Sequence, residues 1–173
     1  RLETVLADRE CRWRLRVKEA ASSRGCLITA TLRVPLEYRT SKVFISFMKK
    51  ACRFLCRGLS LRKVGIDRKR WIMGNDGPAM FLSVDSCPEY TKSLCVEFEE
   101  KTPYGEVLDL DIMDKNGVVI SREHLGLPAR KCFICDNSAA VCSSRRLHSP
   151  EELAEAVNKI TDFILFDKAN GSD

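Results

Sequence analysis

The strongest constraint on the fold is the order in which strand-like and helix-like hydrophobic patterns follow one another. Residues 26–34 are rich in β-branched side chains, which predicts a strand. Apolar residues then recur at helical spacing after Ser41, a predicted N-cap, and we expect this helix to end at Gly58. Residues 61–73 look extended, and the alternation within 80–84 predicts a returning strand. The first half of the pattern is therefore strand, helix, strand, strand.

The second half of the pattern adds one more helix and a hairpin. Ser86 opens a capping-box sequence (SCPE) and predicts the start of a helix. Residues 106–113 alternate like a strand, 114–117 form a turn sequence and 118–121 are its partner. The order predicts an α+β fold with a ferredoxin-like split βαββαβ core and an added β-hairpin strand.

Helices are predicted at both ends of this core. Residues 2–20 form a charged helix, and a second capping box opens a helix over 149–168. The apolar side chains of the first helix share one side: Leu6, Trp13 and Val17. Between the core (26–121) and the last helix, residues 122–148 form a Cys/His-containing loop segment. We interpret residues 1–173 as a single catalytic domain with these four parts.

Composition and motifs exclude several classes of protein. The chain has 173 residues and a formal net charge of +5, and no apolar run approaches the roughly 18 residues of a membrane helix. A helix-turn-helix pattern, a Walker loop and a dinucleotide fingerprint are absent, so we expect neither a nucleic acid nor a membrane partner. No signal-peptide pattern occurs, and the start at Arg1 rather than Met leads us to expect a short missing N-terminal piece.

Nine cysteines divide into two groups. Six lie in apolar segments and are expected to be buried thiols in a reducing cytoplasm. These are Cys11, Cys26, Cys52, Cys56, Cys87 and Cys95. The other three are Cys132, Cys135 and Cys142, followed by His148. Four such ligands within 17 residues can surround a structural Zn²⁺, and the alternatives are a thiol redox pair or ordinary buried cysteines.

Two carboxylates are predicted to share one face of a strand. Asp109 and Asp111 are separated by one residue, so both side chains leave the same face about 7 Å apart. Like charges at that distance repel unless solvent or a cation relieves them, and hard oxygen ligands favour Mg²⁺ or Mn²⁺. The alternative is a strand whose polar outer face simply meets solvent. Asp114 has the opposite parity and is predicted to be a turn residue.

Several segments together resemble one enzyme family. The stretch 126–142 (GLPARKCFICDNSAAVC), continuing to Arg145 and His148, is similar to the apo-citrate lyase phosphoribosyl-dephospho-CoA transferases, also called citrate lyase holo-[acyl-carrier-protein] synthases. The segment 103–112 (PYGEVLDLDI) is similar to that family's Gly-x-x-x-Asp-x-Asp block. Weaker matches are the Asp-Arg-Glu sequence at 8–10 with Arg12, and Pro35 followed by Arg39 and Ser41. Leu36 departs from the family, which usually carries a glycine and a lysine in this loop.

The resemblance implies a cytoplasmic nucleotidyltransferase and assigns roles to residues. The donor would be 2′-(5″-triphosphoribosyl)-3′-dephospho-CoA, and the acceptor a serine of the citrate lyase acyl carrier protein, its gamma subunit. Asp109, Asp111 and Arg130 would be catalytic, with Mg²⁺ or Mn²⁺ on the two aspartates. Arg9, Arg39, Ser41 and Gly105 would bind substrate. The Cys/His cluster would have a structural role that positions Arg130 beside the active face.

Two alternatives stand beside this interpretation. One is the equivalent transferase for a malonate decarboxylase carrier protein, in which the donor is alike and the acceptor differs. The other is a zinc-stapled binding module without enzymatic activity, whose basic faces would bind a nucleic acid or an acidic protein.

Overall fold

The computed structural model describes the backbone of residues 2–170 and the side chains of residues 3–164. Five strands form one antiparallel sheet in the order β2-β3-β1-β4-β5. The strands are β1 (Cys26–Leu32), β2 (Gly65–Gly74), β3 (Gly77–Asp85), β4 (Leu108–Asp114) and β5 (Val119–Ile120). The helices are α1 (Leu2–Ala21), α2 (Leu36–Arg39), α3 (Lys42–Leu61), α4 (Pro88–Lys101), α5 (Ala139–Arg145) and α6 (Pro150–Asn170), with a 3-10 turn at Glu123–Leu125.

The strand order confirms the predicted α+β class and its split βαββαβ core. Strand β1 lies between β3 and β4, and the chain reaches β2 and β4 through α3 and α4. The added strand β5 pairs only with the end of β4. Further along β4, where β5 no longer pairs with it, Lys92 of α4 donates to the carbonyl of Leu110 and Glu99 accepts from the Leu110 N–H. These buried side chains satisfy main-chain groups that a longer β5 would otherwise pair.

The sheet has one apolar face and one mixed face. Alternate residues of β1, β3 and β4 point to the same side, and the register places Thr29 opposite Asp111 and Thr31 opposite Asp109. On that side Phe81 and Met113 pack in a buried cluster with Ala20 of α1. On the opposite face Ile28, Leu82 and Ile112 are completely buried, and α3 and α4 contact the strands of the sheet. The predicted aspartate pair therefore lies on the α1 side of the sheet.

The three apolar side chains that share one side of helix α1 lie at the surface. Leu6, Trp13 and Val17 are exposed, whereas Val5, Arg16 and Ala20 are buried. The arginine can be buried because a carboxylate of the sheet pairs with it. Hydrophobic periodicity alone does not predict such a pair. Cys11 and Cys87 are also exposed, so only four of the six cysteines predicted to be buried are so.

Two boundaries differ from prediction. Helix α3 passes Gly58 and ends at Leu61 in a Schellman turn, in which Val64 donates to the carbonyl of Leu59 and Lys63 takes a left-handed conformation at φ 60°. The N-cap of α4 is Cys87 rather than Ser86, since the thiol accepts from the N–H of Tyr90. At Asp114 the prediction is confirmed, because its carboxylate accepts from the N–H groups of Asn116 and Val118 in the β4–β5 turn.

The chain divides into two compact units, Arg1–Leu125 and Gly126–Asp173. The second unit begins with an isolated antiparallel bridge between Lys131 and Ser138, followed by α5 and α6. The capping box predicted for α6 is confirmed, since Ser149 and Glu152 exchange hydrogen bonds between their side chains and N–H groups. Among the described residues, no helix is both long and apolar enough to cross a bilayer.

Candidate active site and candidate metal centre

The two aspartates of β4 lie on one face of the sheet beside α1. Arg16 of α1 donates from Nη1 to Oδ2 of Asp111 at 3.2 Å. Burial and the neighbouring Asp109 carboxylate raise the pKa of Asp111 above its ordinary value, against the opposing effect of Arg16. The Asp109 carboxylate thus acts on Asp111 in spite of Arg16, and a divalent cation bound between them would relieve that repulsion.

Asp76 gathers three arginines from two helices. It sits in the β2–β3 turn with its carboxylate 1% exposed. Arg9 of α1 donates to its Oδ1 at 2.9 Å, Arg39 of α2 donates to the same oxygen at 3.0 Å, and Arg12 of α1 donates to Oδ2. Burial would raise the pKa of Asp76, but the hydrogen bonds from Arg9 and Arg12 hold it below its ordinary value. One buried carboxylate therefore fixes three cationic groups in one place.

The neighbours of Arg39 fix the position of its guanidinium group beside Asp76. Its Nε donates to the carbonyl of Val34 at 2.8 Å, which holds the guanidinium plane while Nη1 reaches Asp76. Burial and the nearby charges of Arg9 and Arg12 lower the pKa of Arg39, although Asp76 opposes them. Gly77 follows Asp76 with φ +89°, and a Cβ there would collide with Arg39. The turn is thus shaped to bring α2 close to the hairpin.

The aspartate pair and the arginine cluster line one cleft of about 270 Å³. Its charged residues are Arg9, Arg12, Arg16, Arg33, Arg39, Asp76, Asp109 and Asp111. Five arginines and three aspartates leave this lining with a formal charge of +2. Arginines placed together in this way suit a polyanion, and two carboxylates on one strand face are of the kind that a hard cation can bridge.

The cleft brings together four of the residues proposed from the sequence. Asp109, Asp111, Arg9 and Arg39 line it, whereas Ser41 and Gly105 do not belong to its described lining. Ser41 caps α3, accepting from the N–H of Phe44 at 3.3 Å. At Gly105 a Cβ would overlap the main-chain carbonyl of Glu99, so close packing accounts for a glycine there. Substrate contacts of these two residues remain predictions.

Sequence reasoning missed Asp76 and Arg16 as site residues. Asp76 lies in an Asn-Asp-Gly-Pro turn, where an aspartate is common for local reasons. Arg9, Arg12 and Arg16 follow each other at intervals of three and four residues, so they share one helical face. This spacing was a usable signal, since a cationic stripe on a predicted helix pairs well with a carboxylate-bearing sheet face.

The Cys/His segment forms a separate centre in the second unit. The ligand atoms of Cys132, Cys135, Cys142 and His148 all lie within 4.8 Å of one another. His148 Nε2 is 3.4 Å from the sulfur of Cys132 and 3.5 Å from that of Cys135, and the sulfurs of Cys135 and Cys142 are 3.5 Å apart. Tetrahedral ligands on Zn²⁺ stand roughly 3.7 Å apart, so the cluster could bind a metal ion.

Local structure brings these four side chains together. The Cys132 N–H donates to the carbonyl of Asn137 at 2.8 Å, closing the loop that carries Cys132 and Cys135. Cys142 lies on α5, and a left-handed Arg146 then turns the chain towards His148. On its far side, His148 Nδ1 is 4.0 Å from the carboxylate of Glu152, an outer partner of the kind that orients metal-binding histidines.

The thiols differ in their acidity. Burial would raise the pKa of Cys132, but the N–H groups of Ile134 and Cys135 lower it to about 7. Burial and the adjacent thiols of Cys135 and Cys132 raise the pKa of Cys142 to about 12. The protein alone thus favours the thiolate at Cys132 over that at Cys142, and a bound cation would favour both.

Arg130 lies in the same unit, immediately before this centre. Its carbonyl accepts from the N–H of Ala139 at 2.8 Å, next to the Lys131–Ser138 bridge. Its proposed role in catalysis remains a prediction.

The fold and the two sites define a class: an α+β protein with a cleft lined by arginines and aspartates and a Cys₃His cluster that could bind a metal ion. A family model described as apo-citrate lyase phosphoribosyl-dephospho-CoA transferase matches residues 1–163, and the chain belongs to that family.

Relatives from several bacteria agree with this membership. A probable apo-citrate lyase phosphoribosyl-dephospho-CoA transferase of Vibrio cholerae is 27% identical over 78% of this chain and 76% of its own length. A Streptococcus pyogenes protein of the same description is 29% identical over 86% and 77%. An Escherichia coli apo-citrate lyase phosphoribosyl-dephospho-CoA transferase is 30% identical over 55% and 50%.

Proposed function

We propose that this protein transfers the phosphoribosyl-dephospho-CoA group from 2′-(5″-triphosphoribosyl)-3′-dephospho-CoA to a serine of the citrate lyase acyl carrier protein. Family membership supports the reaction. The single structural observation that carries it is the cleft in which Asp109 and Asp111 share a lining with an arginine cluster. A triphosphate with a bound divalent cation matches both halves of that lining.

The reaction balances as a displacement at phosphorus. The serine oxygen forms a bond to the α-phosphorus of the donor while the bond from that phosphorus to the bridging oxygen breaks. Pyrophosphate leaves with the electron pair, and the serine proton passes to solvent or to a base. This is a nucleotidyltransferase-type step, and charge spreads over the phosphate oxygens as it proceeds.

The cleft residues divide this work between them. Arg9, Arg12 and Arg39 are held by Asp76 before substrate arrives, so little reorganisation is needed when the β- and γ-phosphates bind. Asp109 and Asp111 fit a divalent cation, because their carboxylates lie side by side on one face of β4 and the charge of Asp109 raises the pKa of Asp111. When bound, Mg²⁺ or Mn²⁺ would supply charge neutralisation at the phosphate oxygens.

All nine cysteines are free thiols, which suits a reducing cytoplasm as the compartment.

The test is a change in carrier mass. We expect the protein, incubated with apo-carrier, donor and Mg²⁺, to add one prosthetic group to the carrier. Asp109→Asn and Asp111→Asn should each lower the rate by more than about 100-fold, since each removes a charged metal ligand. The control is Asp85→Asn, which alters an exposed carboxylate at the end of β3 and should leave the rate unchanged.

The same assay separates the alternatives. If the protein modified the apo-carrier of malonate decarboxylase faster than that of citrate lyase, the malonate decarboxylase carrier would be its target. No mass gain on either carrier would overturn the enzyme proposal and leave a binding module.

We also propose that the Cys₃His centre holds a structural Zn²⁺. Three sulfurs and one imidazole nitrogen form a complete tetrahedral set, which leaves no position open for catalysis. Protein purified without chelator should contain one zinc per chain, and Cys135→Ser should lower that content. A zinc content near zero in the wild type would overturn this assignment.

A further inference from the structure

Two buried side chains beside the aspartate pair have polar atoms without a hydrogen-bond partner. Arg16 is 8% exposed and Thr29 is 2% exposed. Nε and Nη2 of Arg16 and Oγ1 of Thr29 have no hydrogen-bond partner within the part of the chain that the structure describes. Buried polar groups are nearly always hydrogen-bonded, so an unpaired set in one place calls for an explanation.

These atoms belong to one corner of the cleft. Thr29 lies directly across from Asp111 in the β1–β4 register, and Arg16 donates to Asp111 through its remaining nitrogen, Nη1. Both side chains line the cleft that also contains Asp109. The unpaired groups and the proposed metal ligands are therefore immediate neighbours.

The unpaired atoms have the chemistry of an anion site. Nε and Nη2 form one edge of the guanidinium, the planar fork that donates two parallel hydrogen bonds to phosphate oxygens. A threonine hydroxyl supplies a third donor. Arg9, Arg12 and Arg39 already donate to Asp76. The guanidinium of Arg16 lies over the Trp13 ring, 5.4 Å from its centre, but this edge has no hydrogen-bond partner among the described residues.

We propose that Arg16 and Thr29 form a phosphate subsite that binds the phosphoryl group of the donor next to the Asp109–Asp111 pair. This deepens the proposed function and rests on it for the identity of the donor. In the free protein Nη1 keeps Arg16 on Asp111, and the Nε–Nη2 edge is left for a phosphate that enters the cleft. Thr29 serves as a substrate contact although it is a small, buried residue in the middle of a strand.

The experiment measures binding of inorganic tripolyphosphate to the full chain by calorimetry, with Mg²⁺ present. Arg16→Lys keeps the charge but loses the fork, and we expect about ten-fold weaker binding. Thr29→Val is nearly isosteric and should weaken binding about five- to ten-fold, since one hydrogen bond to a charged group is lost. Arg14→Lys is the matched control, because Arg14 is exposed and pairs with Glu10 outside the cleft; its binding should equal that of the wild type.

Thermal unfolding separates a substrate contact from a structural role. Thr29→Val removes a hydroxyl that has no partner in the free protein, so its melting temperature should stay equal or rise. Thr29→Ser keeps the hydroxyl and should retain wild-type binding. Wild-type affinity in both Arg16→Lys and Thr29→Val would overturn the subsite, as would a Thr29→Val protein that loses stability and binding together. Absence of saturable binding by the wild type would also overturn it.

This measurement is independent of the transfer assay, since it needs neither donor nor carrier. Normal transfer with unaffected variants would overturn only the subsite. Loss of transfer activity on every carrier, with the variant effects on tripolyphosphate intact, would overturn the proposed reaction and support the anion site.

Discussion

At the scale of single residues, Asp76 has the largest predicted effect on stability in the cleft. Its carboxylate is buried and carries three arginine contacts. Asp76→Asn should lower the free energy of unfolding by about 3 kcal/mol at pH 7, because breaking a buried ion pair leaves cations without their counter-charge. The measurement is urea unfolding, with Asp85→Asn as the control for an exposed carboxylate.

The same substitution has a defined pH dependence. The folded-state pKa of Asp76 lies below its unfolded value, so its stabilising effect is complete above about pH 4 and is lost as the pH falls through the folded pKa. The stability difference between wild type and Asp76→Asn should therefore shrink in acid. A difference that stays constant from pH 7 to pH 3 would show that the charge of Asp76 is not its source.

At the scale of helices and strands, the cap of α4 is weaker than its sequence predicts. The thiol of Cys87 accepts from the Tyr90 N–H at 3.4 Å, and sulfur is a weak acceptor. Cys87→Ser should raise the free energy of unfolding by about 0.5–1 kcal/mol, since serine is a preferred N-cap. The control is Cys11→Ser, an exposed cysteine within α1, for which we expect no gain. Equal stability of Cys87→Ser and wild type would mean that the thiol caps the helix as well as a hydroxyl.

Helices and strands were predicted well where their patterns are local. The strands, the three helices with a predicted cap and the turn at Asp114 follow from alternation, helical spacing and turn residues, which act over a few neighbours. The side of α1 that meets the sheet was not predicted, because Arg16 becomes a core-facing residue only when Asp111 lies opposite it. The Schellman end of α3 at Lys63 was missed because Gly58 is a stronger local signal for the end of a helix.

At the scale of the whole molecule, the described parts of the two units differ in how many apolar side chains they bury. The first unit contains a five-stranded sheet with buried side chains on both faces. Within the described part of the second unit, the buried hydrophobic side chains are Cys142, Val157 and Ile164. A unit with so small an apolar core is of the kind that a bound metal ion stabilises.

Metal removal should therefore act on one unit. Treating the full chain with a zinc chelator should speed hydrogen exchange over residues 126–148 and leave exchange in the sheet unchanged. Cys135→Ser should show the same pattern, and Cys11→Ser should behave like the wild type. Exchange in 126–148 that is insensitive to both treatments would contradict a structural metal.

Sequence patterns alone predict the α+β class, the order of strands and helices along the chain, the parity of Asp109 and Asp111 and the four members of the Cys₃His cluster. The parity and the cluster depend on spacing over short stretches, which chain geometry converts directly into a shared face or a closed loop. Only the tertiary structure decided that Asp76, Arg9, Arg12 and Arg39 meet, and that Arg16 and Thr29 are buried with unpaired donors. Such contacts join distant parts of the chain, and the hydrogen bond from Arg16 to Asp111 spans 95 positions. Their energies come from burial and charge that exist only once the sheet and α1 have packed together.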